Sequence, residues 1–205
     1  MIEINQVSKY YNNESVISEF SLKIEKGEFL AITGESGKGK TTILNILGLL
    51  EKPDGGDVLV EGIKNPNKKQ TMMLQRHSFG YLFQNYALIE NETVENNLKI
   101  ALEYQKGINK KSVIKEALEF VGLRGVMNKK IYQLSGGEQQ RVALARVYLK
   151  KADYIFADEP TGNLDPKNRD KVFDLLRKLN ESGKTIIFVT HDMALATQAK
   201  KHVMI

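Results

Sequence analysis

The chain has 205 residues, with 30 Lys and Arg against 25 Asp and Glu for a formal net charge of +5. That length suits one sizeable domain, and 41% hydrophobic residues exclude global disorder, because burying them offsets the entropy of ordering. No apolar run reaches the ~18–20 residues that span a bilayer, the start Met1-Ile2-Glu3-Ile4-Asn5 lacks a signal peptide's basic and apolar regions, and zero cysteines exclude disulfides and thiolate metal sites.

In chain order, N-terminal strands alternate apolar and polar residues, as a half-exposed sheet does, and Lys26-Gly27-Glu28 reads as a turn. A strand over 28–33 leads into a glycine-rich loop and a helix over 41–49. The turn Pro53-Asp54-Gly55-Gly56 introduces a strand over 57–61, and another strand covers 79–83. Helical patterns then take over at 94–102, at 111–121 before Gly122, and at 137–150. The strands over 154–157 and 185–190 are almost continuously apolar, as in a sheet buried on both faces. These patterns predict an α/β chain with a parallel core sheet and an antiparallel flank. One domain is expected over 1–205, its α/β core at 1–84 and 152–205 and a helical subdomain inserted at about 85–151. The sequence has no internal repeat, low-complexity tract or Pro-rich linker.

Three segments carry chemistry. Gly34-Glu35-Ser36-Gly37-Lys38-Gly39-Lys40-Thr41 fits GxxxxGK[ST] between a strand and a helix, the context in which backbone N–H groups cradle phosphates. Lys40 then reaches the β and γ phosphates and the Thr41 hydroxyl ligates Mg²⁺, so a nucleoside triphosphate with magnesium is the expected ligand. Read blandly, the segment is a glycine-rich turn with solvated lysines. Asp158 and Glu159 end the apolar strand Tyr154-Ile155-Phe156-Ala157. Strand alternation points the two carboxylates differently, which assigns Asp158 to the metal and Glu159 to orienting and deprotonating water; alone, such a pair is an ordinary surface turn or helix cap. The third segment is Leu134-Ser135-Gly136-Gly137-Glu138-Gln139-Gln140-Arg141, where Ser135 is a good N-cap and the two glycines expose a helix N-terminus.

At this third segment the sequence resembles the nucleotide-binding domains of ATP-binding cassette (ABC) proteins, whose signature is of the LSGGQ type, with Glu138 here at the fifth position. The resemblance covers essentially the whole chain, with further elements in the family's order. It implies a P-loop NTPase fold and a Mg²⁺-dependent ATPase. Tyr11, with Tyr10 as the competing candidate, resembles the aromatic that stacks on adenine. Gly34 to Thr41 and Thr42 would hold the phosphates, Gln84 resembles the glutamine that contacts Mg²⁺ or water, Asp165 the D-loop aspartate, and His191 the histidine at the γ-phosphate. His77 and His202 fit no element of the family. The resemblance also implies a head-to-tail homodimer in which Ser135, Gly136, Gly137 and Glu138 of one copy complete the ATP site of the other.

Within the family, the stretches 80–85 and 160–165 look like the group serving macrolide exporters, lipoprotein-release machines and antimicrobial-peptide transporters, and the N-terminal half looks closest to bacteriocin exporters of the lactococcin 972 group. That implies a separate membrane permease docked near Gln84, residence on the inner face of the cell membrane, and no nucleic-acid partner. Two other readings are a soluble ABC ATPase acting on ribosomes or nucleic acid, favoured by the +5 charge, and a P-loop kinase, which leaves the Ser135 segment and His191 unexplained. Lys38 departs from the small residue usual at its place; it either raises nucleotide affinity or faces solvent, and a lysine stem favours solvent. The chain ends 14 residues after His191, so a C-terminal regulatory domain is expected to be absent or cut away.

Overall fold

The computed structural model describes residues 1–205. Five parallel strands form the central sheet, in the order β6 (Phe79–Leu82), β7 (Tyr154–Asp158), β8 (Thr185–Val189), β3 (Phe29–Thr33) and β9 (Lys201–Met204). β3 and β8 are buried at every residue, which is why their sequences are continuous apolar runs rather than alternations. A second, antiparallel sheet has the order β2 (Glu14–Ile24), β1 (Ile2–Tyr11), β4 (Gly55–Val60) and β5 (Ile63–Lys64). Its inward residues Ile2, Ile4, Val58 and Val60 pack with α1 (Lys40–Leu47) against one face of the parallel sheet.

The other face is covered by helices. α3 (Val94–Lys99), a 3-10 turn at Ile100–Leu102, α4 (Lys110–Phe120) and α5 (Gly136–Lys150) share one apolar cluster with α6 (Pro166–Glu181). α6 starts where Asp165 accepts from the Asn168 N–H and Pro166 occupies the first turn, and it buries Val172, Phe173, Leu175, Leu176 and Leu179, spaced as one helical face. Phe173 meets Phe29 and Phe188 of the sheet at centroid distances of 5.5 and 5.6 Å. Such buried aromatics contribute about 1.5–3 kcal/mol each, enough to pin α6 across the parallel strands.

Differences from the sequence reading are local. The helix predicted at 94–102 tightens into the 3-10 turn at Ile100, and the helix predicted at 41–49 stops at Leu47, because Gly48 caps it and Leu49 turns left-handed at φ 56°. α2 (Lys68–His77), α7 (Met193–Ala196) and β9 were not anticipated.

Candidate active site

Four neighbouring strands, β6, β7, β8 and β3, deliver chemistry at one edge of the sheet, their C-terminal ends. Gln84 follows β6, Asp158 and Glu159 end β7, His191 follows β8, and the glycine-rich loop follows β3. Between them lies a cavity of about 410 Å³ lined by Ser36, Gly37, Gly39, Lys40, Thr41, Thr42, Gln84, Glu159 and His191, with Val16 of β2 and Val189 as its apolar wall.

The loop before α1 is shaped for an anion. Gly39 is the N-cap of α1 with φ 85°, and a Cβ there would meet Val16 Cγ1 at 3.0 Å, so only glycine suits the position. α1 has no side-chain cap and no acid in its first turn. The N–H groups of Gly37, Gly39, Lys40, Thr41 and Thr42 have no partner within the chain. Lys40 Nζ donates to the carbonyls of Gly34 at 3.0 Å and Glu35 at 2.7 Å, which leaves one of its three protons for an external acceptor. These donors fit a polyphosphate. Glu35, Ser36 and Lys38 are exposed.

Thr41 Oγ1 lies 3.1 Å from each oxygen of Asp158. Burial pushes the Asp158 carboxyl up, while the Thr41 bond and the Lys40 charge draw it down. One hydroxyl and one partly enclosed carboxylate beside phosphate donors form a set of hard oxygens that suits Mg²⁺. Glu159 sits at φ 43°, where non-glycine backbone is strained. β7 has already ended at Asp158, so this kink, rather than strand alternation, separates the directions of the two carboxylates. Glu159 Oε1 meets His191 Nδ1 at 3.0 Å, and its Oε2 is buried with no hydrogen-bond partner. That orphaned acceptor belongs to a residue lining the cavity, beside the exposed His191 ring and Gln84.

Tyr11 sits at the margin. Its hydroxyl donates to Glu51 and lies beside Thr42, and the residue is 43% exposed. Tyr10 is also exposed, its backbone N–H donating to Asp54. The Thr42 contact therefore favours Tyr11 as the aromatic next to the loop.

Ser135, Gly136, Gly137 and Glu138 do not line the cavity. They open α5 in a closed capping box: the Glu138 N–H donates to Ser135 Oγ at 3.4 Å, and Glu138 Oε2 accepts from the Ser135 N–H at 2.9 Å. Asp165 also lies outside the cavity, as the cap of α6. Asn168 joins these two helix starts. It accepts from Arg141 Nη1 at 2.6 Å, donates to Asp165 at 2.5 Å, and stands so close that a Cβ on Gly137 would meet it at 2.5 Å. Buried Gln140 donates to the Pro160 carbonyl, tying α5 to the chain that follows Glu159. Neither these contacts nor Val16 were legible in the sequence, because each joins residues remote in the chain with no local pattern. His202 ties β9 to β3 through Thr33 Oγ1 at 2.6 Å, a structural role.

A family model described as ABC transporter matches residues 17–162. The chain is 36% identical to the macrolide export ATP-binding/permease protein MacB of Neisseria gonorrhoeae, over 98% of this chain but 32% of that protein, so it spans about a third of that relative. It is also 36% identical to the ABC transporter ATP-binding protein YxdL of Bacillus subtilis, over 100% of this chain and 83% of YxdL. Among solved structures, the dimeric post-hydrolysis state of the ATP-binding cassette MJ0796 bound to ADP and Pi superposes with TM-score 0.91 at 35% identity, covering 100% of this chain and 94% of that one.

Proposed function

The chain belongs to the ABC transporter family as an ATP-binding, ATP-hydrolysing cassette, and from that premise we propose that it drives export of a bacteriocin or antimicrobial peptide through a separate membrane permease. The observation that carries the site assignment is the convergence of four strand ends on one cavity, with unpartnered N–H donors on one side and the orphaned Glu159 Oε2 on the other. No helix is long and apolar enough to cross a membrane.

In this reading, Lys40 and the free N–H groups of Gly37 to Thr42 bind the phosphates, and Tyr11 flanks the adenine. Thr41 and Asp158, with Gln84 beside them, would hold Mg²⁺, which supplies charge neutralisation for the phosphate oxygens. Glu159 accepts the proton of the attacking water, yielding ADP and phosphate. The His191 contact fixes the Glu159 carboxylate, leaving its second oxygen for that proton. Ser135, Gly136, Gly137 and Glu138 serve the nucleotide of a second copy in a two-fold dimer, and Asp165 travels with them through Asn168. The dimeric state of the MJ0796 cassette supports this arrangement. The permease holds the cassette at the inner face of the membrane, its docking segment seated near Gln84.

The test is to incubate tagged Glu159→Gln protein with native membranes and Mg-ATP, then identify what co-purifies. The reading expects a polytopic membrane protein. Recovery of ribosomes or nucleic acid without one would replace it with a soluble ABC ATPase.

A further inference from the structure

The phosphate donors and the aromatic assigned to the base stand on different parts of the fold. The donors start α1, whereas Tyr11 ends β1, a strand of the antiparallel sheet. That strand end has little support of its own. β1 pairs with β4 only as far as Ser8, and its register against β2 shifts on both sides of Lys9. Asn12 and Asn13 then turn the chain left-handed, at φ 49° and 66°.

A polar cluster at the exit of α1 ties this end down. The Lys9 ammonium donates to the Lys52 carbonyl at 2.9 Å and to Asp54 Oδ1 at 3.2 Å, and lies 3.4 Å from Glu51 Oε1. An ammonium has three protons and these partners engage all of them, so none is left for a phosphate. Lys9 Nζ also stands over the Tyr11 ring, 5.6 Å from its centroid. Glu51 accepts from the Tyr11 hydroxyl, and Asp54 Oδ2 accepts from the Tyr10 N–H at 2.9 Å. The Glu51 N–H in turn donates to the Asn45 carbonyl of α1 at 3.3 Å. Contacts therefore run without a break from α1 through Glu51 and Lys9 to the ring. The Lys9 side chain is 14% exposed and Tyr11 is 43% exposed, so the cation backs the ring and leaves aromatic surface open.

We infer that Lys9 is a positioning residue for the nucleotide base: gripped by Glu51, Asp54 and the Lys52 carbonyl, it backs the Tyr11 ring and fixes it relative to α1, ready to stack on adenine. The inference rests on the reading of Tyr11 as the adenine-flanking aromatic and adds what holds that ring in place. A ring fixed before the base arrives loses less rotamer freedom on binding, so more of the stacking free energy appears as affinity. Lys9 has a second conceivable role, neutralising Glu51 and Asp54 so that they do not repel phosphates. The two roles separate on a ligand that has phosphates but no base.

The experiment titrates the parent protein and its variants calorimetrically with Mg-ADP and with Mg-ribose 5-diphosphate, which lacks the adenine. Lys9→Met, which keeps the stem and removes the charge, is expected to lower ADP affinity about fivefold or more. Its affinity for ribose 5-diphosphate stays within about twofold of the parent, which also shows that it has folded. Lys9→Arg keeps a cation over the ring and restores ADP binding to within about twofold. Glu51→Gln, which retains Lys9 but loosens its hold and that on the Tyr11 hydroxyl, gives an intermediate loss for ADP alone. Equal weakening of both ligands by Lys9→Met assigns the residue to charge compensation or to folding and overturns the inference, as does unchanged ADP binding. Tyr11→Ala tests the reading beneath it. If that variant binds ADP no better than ribose 5-diphosphate, the reading of Tyr11 stands whatever Lys9 does. If it keeps the parent's preference for ADP, that reading falls and the inference with it.

Discussion

The helices α1 and α5 both begin at glycine-rich segments, yet their first turns are completed in opposite ways. α1 opens on left-handed Gly39 with no side-chain cap and no acidic residue of its own in the first turn, and its N-terminal N–H groups have no partner in the chain. α5 opens on Ser135, whose hydroxyl and backbone close a reciprocal box with Glu138. One helix end is finished only by an external anion; the other is finished by its own sequence. This difference separates the duties that the proposed dimer needs. On the proposed reading the α1 end binds nucleotide within its own chain, while the α5 end is completed by its own side chains.

Breaking the chemistry at the α1 side has the largest expected effect. Glu159→Gln removes the carboxylate proposed to take the water proton and replaces it with an amide that cannot, so turnover is expected to fall by about 10²–10⁴-fold. ATP still binds, because none of the free N–H donors is touched. Phosphate release and calorimetry together check this, and near-normal hydrolysis by the variant removes Glu159 from its proposed role.

The next effect sharpens the contrast between the two ends. Lys40→Ala deletes a charge-assisted bond of about 1.5–3 kcal/mol to phosphate, which lowers ATP affinity by about 10–100-fold. Ser135→Ala leaves the affinity of the isolated chain within about twofold, since Ser135 lies outside the cavity. It instead removes the α5 cap, costing about 1 kcal/mol and lowering Tm by about 2–4 °C. Calorimetric titrations and melting curves on the two variants read both quantities. If Ser135→Ala weakened ATP binding by the monomer as much as Lys40→Ala did, the division between the ends would fail.

Much of this contrast was legible in the sequence, because its parts are local. The loop Gly34 to Thr41 is a contiguous motif flanked by its strand and helix, and Ser135 with Glu138 has the spacing of a capping box. What could not be read depends on partners far along the chain. β1 and β2 pair through three register shifts, with Gln6 and Glu19 at positive φ, which breaks the alternation that would delimit each strand. α2 buries only Leu74, too little for a helical stripe to stand out. β9 is a half-exposed, mixed sequence that becomes a strand because β3 offers it an edge. The directions of Asp158 and Glu159 were read from alternation, but a left-handed residue sets them, and nothing in the sequence Ala157-Asp158-Glu159-Pro160 announces that kink.

The smallest expected effect turns on the charge of Glu138. The bond from the Ser135 N–H, helped by the Ser135 hydroxyl and by the charges of Lys129 and Arg141, holds its carboxyl below the usual range against the opposing effect of burial. A group whose folded value is lowered contributes stability above the unfolded value of about 4.3, and that contribution is lost as pH falls through the folded value. Glu138→Gln keeps an oxygen for the Ser135 N–H but removes the negative charge from the start of α5, a loss of about 0.3–1 kcal/mol at neutral pH. The variant therefore melts about 1–3 °C lower than its parent at pH 7, and the gap closes as pH falls through the lowered folded value, below which the parent carboxylate is itself protonated. A gap that persists at low pH means that shape rather than charge stabilises this end. In the proposed dimer the same substitution is expected to act with the opposite sign: a carboxylate at residue 138 of one copy would repel phosphates bound by the other, so Glu138→Gln should assemble with ATP at lower protein concentration. Light scattering across a dilution series reads that shift. A variant that loses monomer stability while gaining dimer affinity would show that the self-finished end of α5 is maintained by a charge working against the very assembly it serves.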